Sequence, residues 1–400
     1  MQLANSDGGY RSLSYALLFL VQAASALVLV PINVNLVLTT FLVVYIGCES
    51  SLYAQEEESE TLEQKDAYWF PVTAGCVLCG LYALFKYVNK DYVNYVIMFY
   101  IFLVGVFAVA NLFHGLIALA LPSKNHVIDW SIKIPFVHGS KADSGEEAAD
   151  SNSGSDDEDE DEDEVREGKG DEVKASINDD AWVVQLTFAE IVSVLLSVAV
   201  VAWYLSTKHW LGNNLIGIAF SIQGIKSLSV GSYKTGCILL SLLFFYDIFF
   251  VFGTPIMVAV AKNVDAPIKL LFLKSFAVED AAAQFSMLGL GDIVLPGVFI
   301  ALVLRYDAQR EGVDLKSIPE GESAPAFARP LFSLCMVGYV IGLMCTLFVM
   351  YSFKAAQPAL LYLVPACLGF SFIGAYVRGE ASELLAYSEE VAEDDKEKKE

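Results

Sequence analysis

The stretch Leu242-Leu243-Phe244-Phe245-Tyr246-Asp247-Ile248-Phe249-Phe250 places one carboxylate in the middle of an apolar run long enough to cross a bilayer. A second stretch, Met287-Leu288-Gly289-Leu290-Gly291-Asp292-Ile293-Val294, places another inside the next such run. An aspartate at membrane depth costs roughly 2.5–3.5 kcal/mol on insertion scales, so it is rare unless it faces a partner or a wet cavity. Two of them on consecutive spans point to a site shared between two helices. Carboxylates brought together in a poorly screened site cannot both ionise, and such a pair shares one proton. That state suits peptide hydrolysis. The ionised member takes a proton from water while the neutral member hydrogen-bonds the scissile carbonyl, and neither metal nor cofactor is needed. Gly289 and Gly291 remove side chains next to Asp292, which lets a second backbone approach and the helix start loosen. An intramembrane aspartate also serves in transport pathways, so an ion relay through Asp247 and Asp292 is the competing reading outside the enzymes.

A third element opens the last apolar span: Gln357-Pro358-Ala359-Leu360-Leu361-Tyr362-Leu363-Val364-Pro365. Proline near a helix start is tolerated, but Pro365 further in removes a backbone donor and frees carbonyls that must find partners. Irregular backbone at membrane depth lines a cavity or lies inside protein. Taken in order, Tyr246-Asp247, Gly289-Leu290-Gly291-Asp292 and Pro358-Ala359-Leu360 resemble the YD, GxGD and PAL motifs of intramembrane aspartyl proteases. The longer strings QPALLYLVPACLGF, GCILLSLLFFYDIFFVFGT and SMLGLGDIVLPGVFIALVLR are similar to the signal peptide peptidase family more than to the presenilins. The similarity runs nearly continuously from about Asp66 to the end of the last span.

The resemblance implies an all-α polytopic fold, a nine-transmembrane-helix bundle in the endoplasmic reticulum membrane with a lumenal amino terminus and a cytosolic carboxyl terminus. It implies catalysis by Asp247 and Asp292 without a cofactor or metal, supported by Tyr246, Gly289, Leu290 and Gly291. Gln357, Pro358, Ala359 and Leu360 would pack beside the dyad and touch substrate. Substrates would be signal peptides left in the bilayer by signal peptidase and other single transmembrane helices. A further copy of the chain is the other candidate partner, and nucleic acid is not one. A presenilin-like catalytic subunit, a transporter and a non-proteolytic scaffold are the alternatives. The short Ala261–Gln284 connection lacks a loop suited to self-cleavage, and no internal repeat of the transporter kind stands out.

Composition agrees with a membrane protein. The chain has 400 residues, 55% of them hydrophobic, in repeated apolar runs near the ~20 residues that cross a bilayer as a helix. Spans are expected at about residues 33–54, 70–88, 93–121, 182–205, 213–230, 236–259, 285–305, 330–351 and 358–377. All seven cysteines fall in or beside these runs, so no disulfide framework is indicated. Cys76 and Cys79 have CxxC spacing but no second pair and no neighbouring histidine, and the four histidines are scattered. Asn213, Asn214, Ser221 and Gln223 make one span unusually polar, as expected of a helix facing the bundle interior.

The net charge of −23 lies outside the spans. Residues 122–180 form an acidic loop around the nine consecutive acids Asp156–Glu164, for which disorder on the cytosolic side is expected. Ser155, followed by three acids, is a candidate for an acid-directed kinase. Residues 33–121 and 181–377 carry the spans, and residues 378–400 form a charged tail ending Lys396-Glu397-Lys398-Lys399-Glu400, which fits a KxKxx retrieval signal. Residues 1–32 read as a signal peptide, with Ala24-Ser25-Ala26 as a cleavage site, or as an extra helix; a cleaved or non-core segment is the favoured expectation.

Overall fold

The computed structural model describes residues 6–28, 30–52, 60–62, 64–120, 130–134, 182–186, 188–275, 284–313, 327–353 and 357–389. Its helices are α1 (Ser6–Leu27), α2 (Ile32–Ser51), α3 (Gln64–Tyr87), α4 (Lys90–Ala120), α5 (Phe188–Thr207), α6 (Trp210–Ser227), α7 (Tyr233–Phe252), α8 (Ile256–Asn263), α9 (Gly291–Arg310), α10 (Pro330–Phe353), α11 (Leu360–Val377) and α12 (Ala381–Ala386). Each expected span holds a helix, α2 to α7 and then α9 to α11. Seven of the described helices, namely α2, α3, α4, α5, α7, α10 and α11, are long and apolar enough to cross a membrane. The other two, α6 and α9, carry the polar residues and are shielded by their neighbours.

Three short two-stranded sheets accompany the helices. Strand β1 (Glu60–Leu62) pairs in parallel with β4 (Leu228–Val230), β2 (Trp130–Ile134) pairs antiparallel with β3 (Trp182–Leu186), and β5 (Lys269–Ser275) pairs antiparallel with β6 (Gln284–Gly289). The β2–β3 pair belongs to a separate unit, residues 126–188, while the helical unit comprises the chain before and after it. Trp182–Leu186 and Phe285–Gly289, both assigned to spans from sequence, are therefore strands, because continuous apolar runs do not distinguish a buried strand from a helix start. The span expected over 236–259 breaks at Gly253-Thr254-Pro255, where proline ends the hydrogen-bond ladder and α8 begins. The acidic run Asp156–Glu164, Ser155 and the lysines of the tail lie outside the described residues.

Residues 6–27 form a helix whose Tyr15 and Leu18 are buried in the main core. Tyr15 packs against Gly115 of α4, its hydroxyl 3.3 Å from where a Cβ on that glycine would stand, and Phe19 stacks on Phe113. In the structure this segment is a helix packed on the bundle. A four-residue link to α2 makes the two helices antiparallel neighbours.

Helix α9 runs through the interior of the helical unit. Val298 to Leu304 are 2% exposed or less, and α2, α6, α7, α10 and α11 all pack on it. Gly297 admits Ile225 of α6, whose Cδ1 lies 2.5 Å from the site of an added Cβ. The end of α9 remote from Asp292 is tied by charge. Arg305 donates from Nε to Glu389 (2.6 Å) and through its other nitrogens to Ser51 (3.3 Å) and Ser229 (3.2 Å). Asp307, fully buried, accepts the N–H of Phe332 (2.9 Å) and so caps α10, whose first turn has no internal acceptors. Glu49 of α2 pairs with Arg329, just ahead of the same helix. Helices α10 and α11 touch backbone to backbone at Gly338 and Gly342, the small-residue contact on which membrane helices rely.

That contact gives a test. A Cβ on Gly342 would lie 3.0 Å from both Leu363 Cα and Tyr362 O, backbone atoms that cannot rotate away. Gly342→Val is expected to destabilise the detergent-solubilised protein by about 1–3 kcal/mol through overpacking, read as an earlier thermal unfolding transition. An unchanged transition would show that α10 and α11 do not meet there.

Candidate active site

Helix α7 starts at Ser232, whose hydroxyl accepts the N–H of Thr235 at 3.1 Å. It carries Asp247 to the last third of its length, where the side chain is 5% exposed. There the carboxylate meets the start of α11. Ala359 precedes that helix and has no side chain able to cap it, so the N–H of Leu360 is free to donate to Asp247 Oδ2, at 3.2 Å. The sequence elements Tyr246-Asp247 and Pro358-Ala359-Leu360 are thus joined by a hydrogen bond across 113 residues.

Asp292 is the second residue of α9. The chain changes there from strand to helix over one residue. Leu290 N–H donates to Ile268 O beside β5 (3.1 Å), and Leu290 O accepts from Ile293 (3.0 Å) and Val294 (2.8 Å) to begin the helix. A Cβ on Gly289 would stand 3.5 Å from Asp292 Oδ2, so glycine keeps the space beside the carboxylate clear. Leu290 points to α6, where Gly217 makes room for it, and Gly291 faces Leu295 of its own helix. Helices α7, α9 and α11 pack on one another, and Asp292 lies within electrostatic reach of Asp247.

The strand paired with β6, the strand ahead of Asp292, is held from α6. Asn214, 2% exposed, takes both backbone groups of Leu271 in β5: its amide donates to Leu271 O (2.8 Å) and its carbonyl accepts Leu271 N–H (2.7 Å). Asn213 donates to Lys269 O at 2.7 Å. These bonds fix the direction of the other edge. In the β5–β6 register Leu271 stands opposite Met287 and Lys269 opposite Gly289. Residues whose backbone groups turn outward on one antiparallel strand face partners whose groups also turn outward. Met287 and Gly289 therefore direct N–H and C=O away from β5, on the edge that runs into Leu290-Gly291-Asp292. Among the described residues no further strand pairs with that edge.

The site gathers Asp247, Asp292, Gly289, Ala359 and Leu360; Pro358 is buried and Gln357 half-buried beside them. Tyr246 turns its ring elsewhere, onto Phe250 (centroids 4.5 Å apart) and towards Gly75 of α3. The β5–β6 pair was not foreseen, and nor was the clasp on it. Two adjacent asparagines in an otherwise apolar span were the signal for that clasp, since amides at such depth need fixed partners.

Comparison with known proteins identifies the family. A family model described as signal peptide peptidase matches residues 54–391. Signal peptide peptidase of Mus musculus is 36% identical over 361 residues, 89% of this chain and 82% of that protein. The Homo sapiens protein of the same name is 35% identical over the same shares. Intramembrane protease 2 of Caenorhabditis elegans is 42% identical over 228 residues, 56% of this chain and 48% of that one. A solved structure of a presenilin family intramembrane aspartate protease aligns with 86% of this chain and 99% of its own at a TM-score of 0.44 and 15% identity. On the length of the family match and the identity to its full-length relatives, the chain belongs to the signal peptide peptidase family of intramembrane aspartate proteases.

Proposed function

We propose that Asp247 and Asp292 are the catalytic dyad of this protease and that its substrates are single transmembrane helices, signal-peptide remnants among them. The observation that carries the reading is the bond from Leu360 N–H to Asp247. It joins two of the three motifs at one point, and Asp292 opens the helix packed beside them. In the reaction one carboxylate is ionised and the other protonated. The ionised group takes a proton from water as its oxygen bonds to the scissile carbon, while the protonated group donates to the carbonyl oxygen. The tetrahedral adduct collapses with rupture of the C–N bond, and the proton taken from water goes to the leaving amine. A coupled pair titrates as a unit, so the two roles belong to the dyad rather than to named members.

A substrate helix hides its carbonyls in its own hydrogen bonds, so it must unwind before attack. In a bilayer the freed backbone groups need partners at once. The outward N–H and C=O of Met287 and Gly289 supply them, by strand addition to β6, and deliver the unwound segment alongside Asp292. Ala359 and the glycines leave space for that close approach. Residence in the endoplasmic reticulum membrane, with the chain after α11 on the cytosolic side, is the placement its relatives favour.

The decisive assay is cleavage of a synthetic signal-peptide helix by purified protein. Asp247→Ala and Asp292→Ala are each expected to lower the rate by at least about 10²-fold while leaving insertion and helix content intact; near-normal cleavage by either variant rules out the dyad. Met287→Pro deletes one outward donor without touching the bonds to β5. It is expected to slow cleavage by roughly tenfold, the worth of about one backbone hydrogen bond, with folding preserved. Wild-type rates from that variant would remove β6 from the substrate path.

A further inference from the structure

Helix α1 lies ahead of the residues matched by the family model, which begin at 54, yet a line of hydrogen bonds connects it to the strand beside Asp292. Gln22 of α1 donates from Nε2 to Thr39 Oγ1 of α2 (3.1 Å), and Thr39 donates in turn to Asn35 Oδ1 (3.1 Å). On its other side the Gln22 carbonyl accepts from Asn214 Nδ2 at 3.5 Å, the longest link in the line. Asn214 is the residue that holds Leu271 of β5 by both backbone groups. Thr39 is fully buried and Asn35 and Asn214 nearly so, so these amides and hydroxyls have no water to turn to if a partner is lost. Tyr15 and Leu18, a turn or two away on α1, anchor the helix in the core and fix where Gln22 is presented. Gln22 therefore restrains the amide of Asn214, and Asn214 sets the position of β5 and, through the β5–β6 register, of Met287 and Gly289.

We propose that α1 is a working part of this protease and that Gln22 is a positioning residue, acting through Asn214, which sets the register in which β6 presents substrate to the dyad. The inference rests on the reading of the dyad and the β6 edge given above. It assigns a role in cleavage-site selection to a helix outside the family match, and it requires α1 to be retained in the working enzyme.

The test compares full-length Gln22→Leu, Gln22→Glu and wild-type protein in detergent on one synthetic signal-peptide helix, with kcat, KM and the cleaved bonds read by mass spectrometry of both products. Gln22→Leu is expected to bind an aspartyl-protease transition-state mimic normally and to keep KM within about twofold. Its kcat should fall about three- to tenfold, the scale of one hydrogen bond, and its cuts should spread to neighbouring peptide bonds. Gln22→Glu, as the neutral acid, keeps both the acceptor for Asn214 and an O–H donor for Thr39, and should restore the wild-type bonds. Thr39→Val breaks the same line one step away at nearly constant shape and should spread the cuts in the same way, which keeps the test open if Gln22→Leu does not fold. Wild-type kcat and cut positions in Gln22→Leu, the same impairment in Gln22→Glu, or unshifted cuts in Thr39→Val would each overturn the proposal. So would an active enzyme purified from microsomes whose intact mass shows residues 1–26 removed. Asp292→Ala and Met287→Pro run alongside: if those two cleave normally the dyad and edge reading has failed, whereas if they are impaired and Gln22→Leu is not, only the role of α1 has failed.

Discussion

A backbone that leaves helical geometry inside a bilayer must have its N–H and C=O groups met from within the protein, and this requirement governs the structure around Asp292. The chain breaks into strand just before that residue, since a carboxylate in the middle of a continuous helix would have no unpaired backbone beside it. Asn213 and Asn214 meet one edge of the resulting pair of strands. The other edge pairs with no further strand among the described residues. Two asparagines on a buried helix are costly to place in a membrane, and their cost is offset because each is paired with main-chain atoms.

The same economy recurs at Asp247. Helix α11 begins without a capping side chain of its own, and an aspartate from α7 takes the role at Leu360. One hydrogen bond thereby orients the Asp247 carboxylate and completes a helix end. The interior helix α9 then links the two ends of the unit. At one end it carries Asp292; at the other Arg305, Glu389, Ser51 and Ser229 form a buried, mutually hydrogen-bonded group that closes the carboxyl-terminal segment over the bundle. Buried charge of this kind adds little net stability but disfavours other placements of the helices it joins.

Outside this interior the surface has a different logic. Trp69, Tyr95, Phe99 and Leu103 on α3 and α4 are more than half exposed. In a bilayer such side chains face lipid tails and need no protein cover. Helix α3 is held where Gly75 admits Phe250 and Tyr246 of α7 and where Leu78, Leu81 and Phe85 pack around Val260 and Val264.

Sequence alone singled out the residues proposed to carry the chemistry. Aspartates within apolar runs, glycines beside one of them and a proline-marked final span are local signals, because the cost of charge or of a missing donor at membrane depth attaches to the residue itself. It also located the seven described helices long and apolar enough to cross a membrane, because apolar length is a local property. The strands Gln284–Gly289 and Trp182–Leu186 escaped it, since a short apolar run folds as strand or helix according to what it packs against. The packing of residues 6–27 escaped it too, because a signal peptide and a core helix share one composition and differ only in whether Tyr15, Leu18 and Gln22 find partners. Tertiary structure decided those matters, and it alone brought the N–H of Leu360 to Asp247 and the amide of Asn214 to Leu271, contacts between residues that are 113 and 57 positions apart and that no periodicity in the chain encodes.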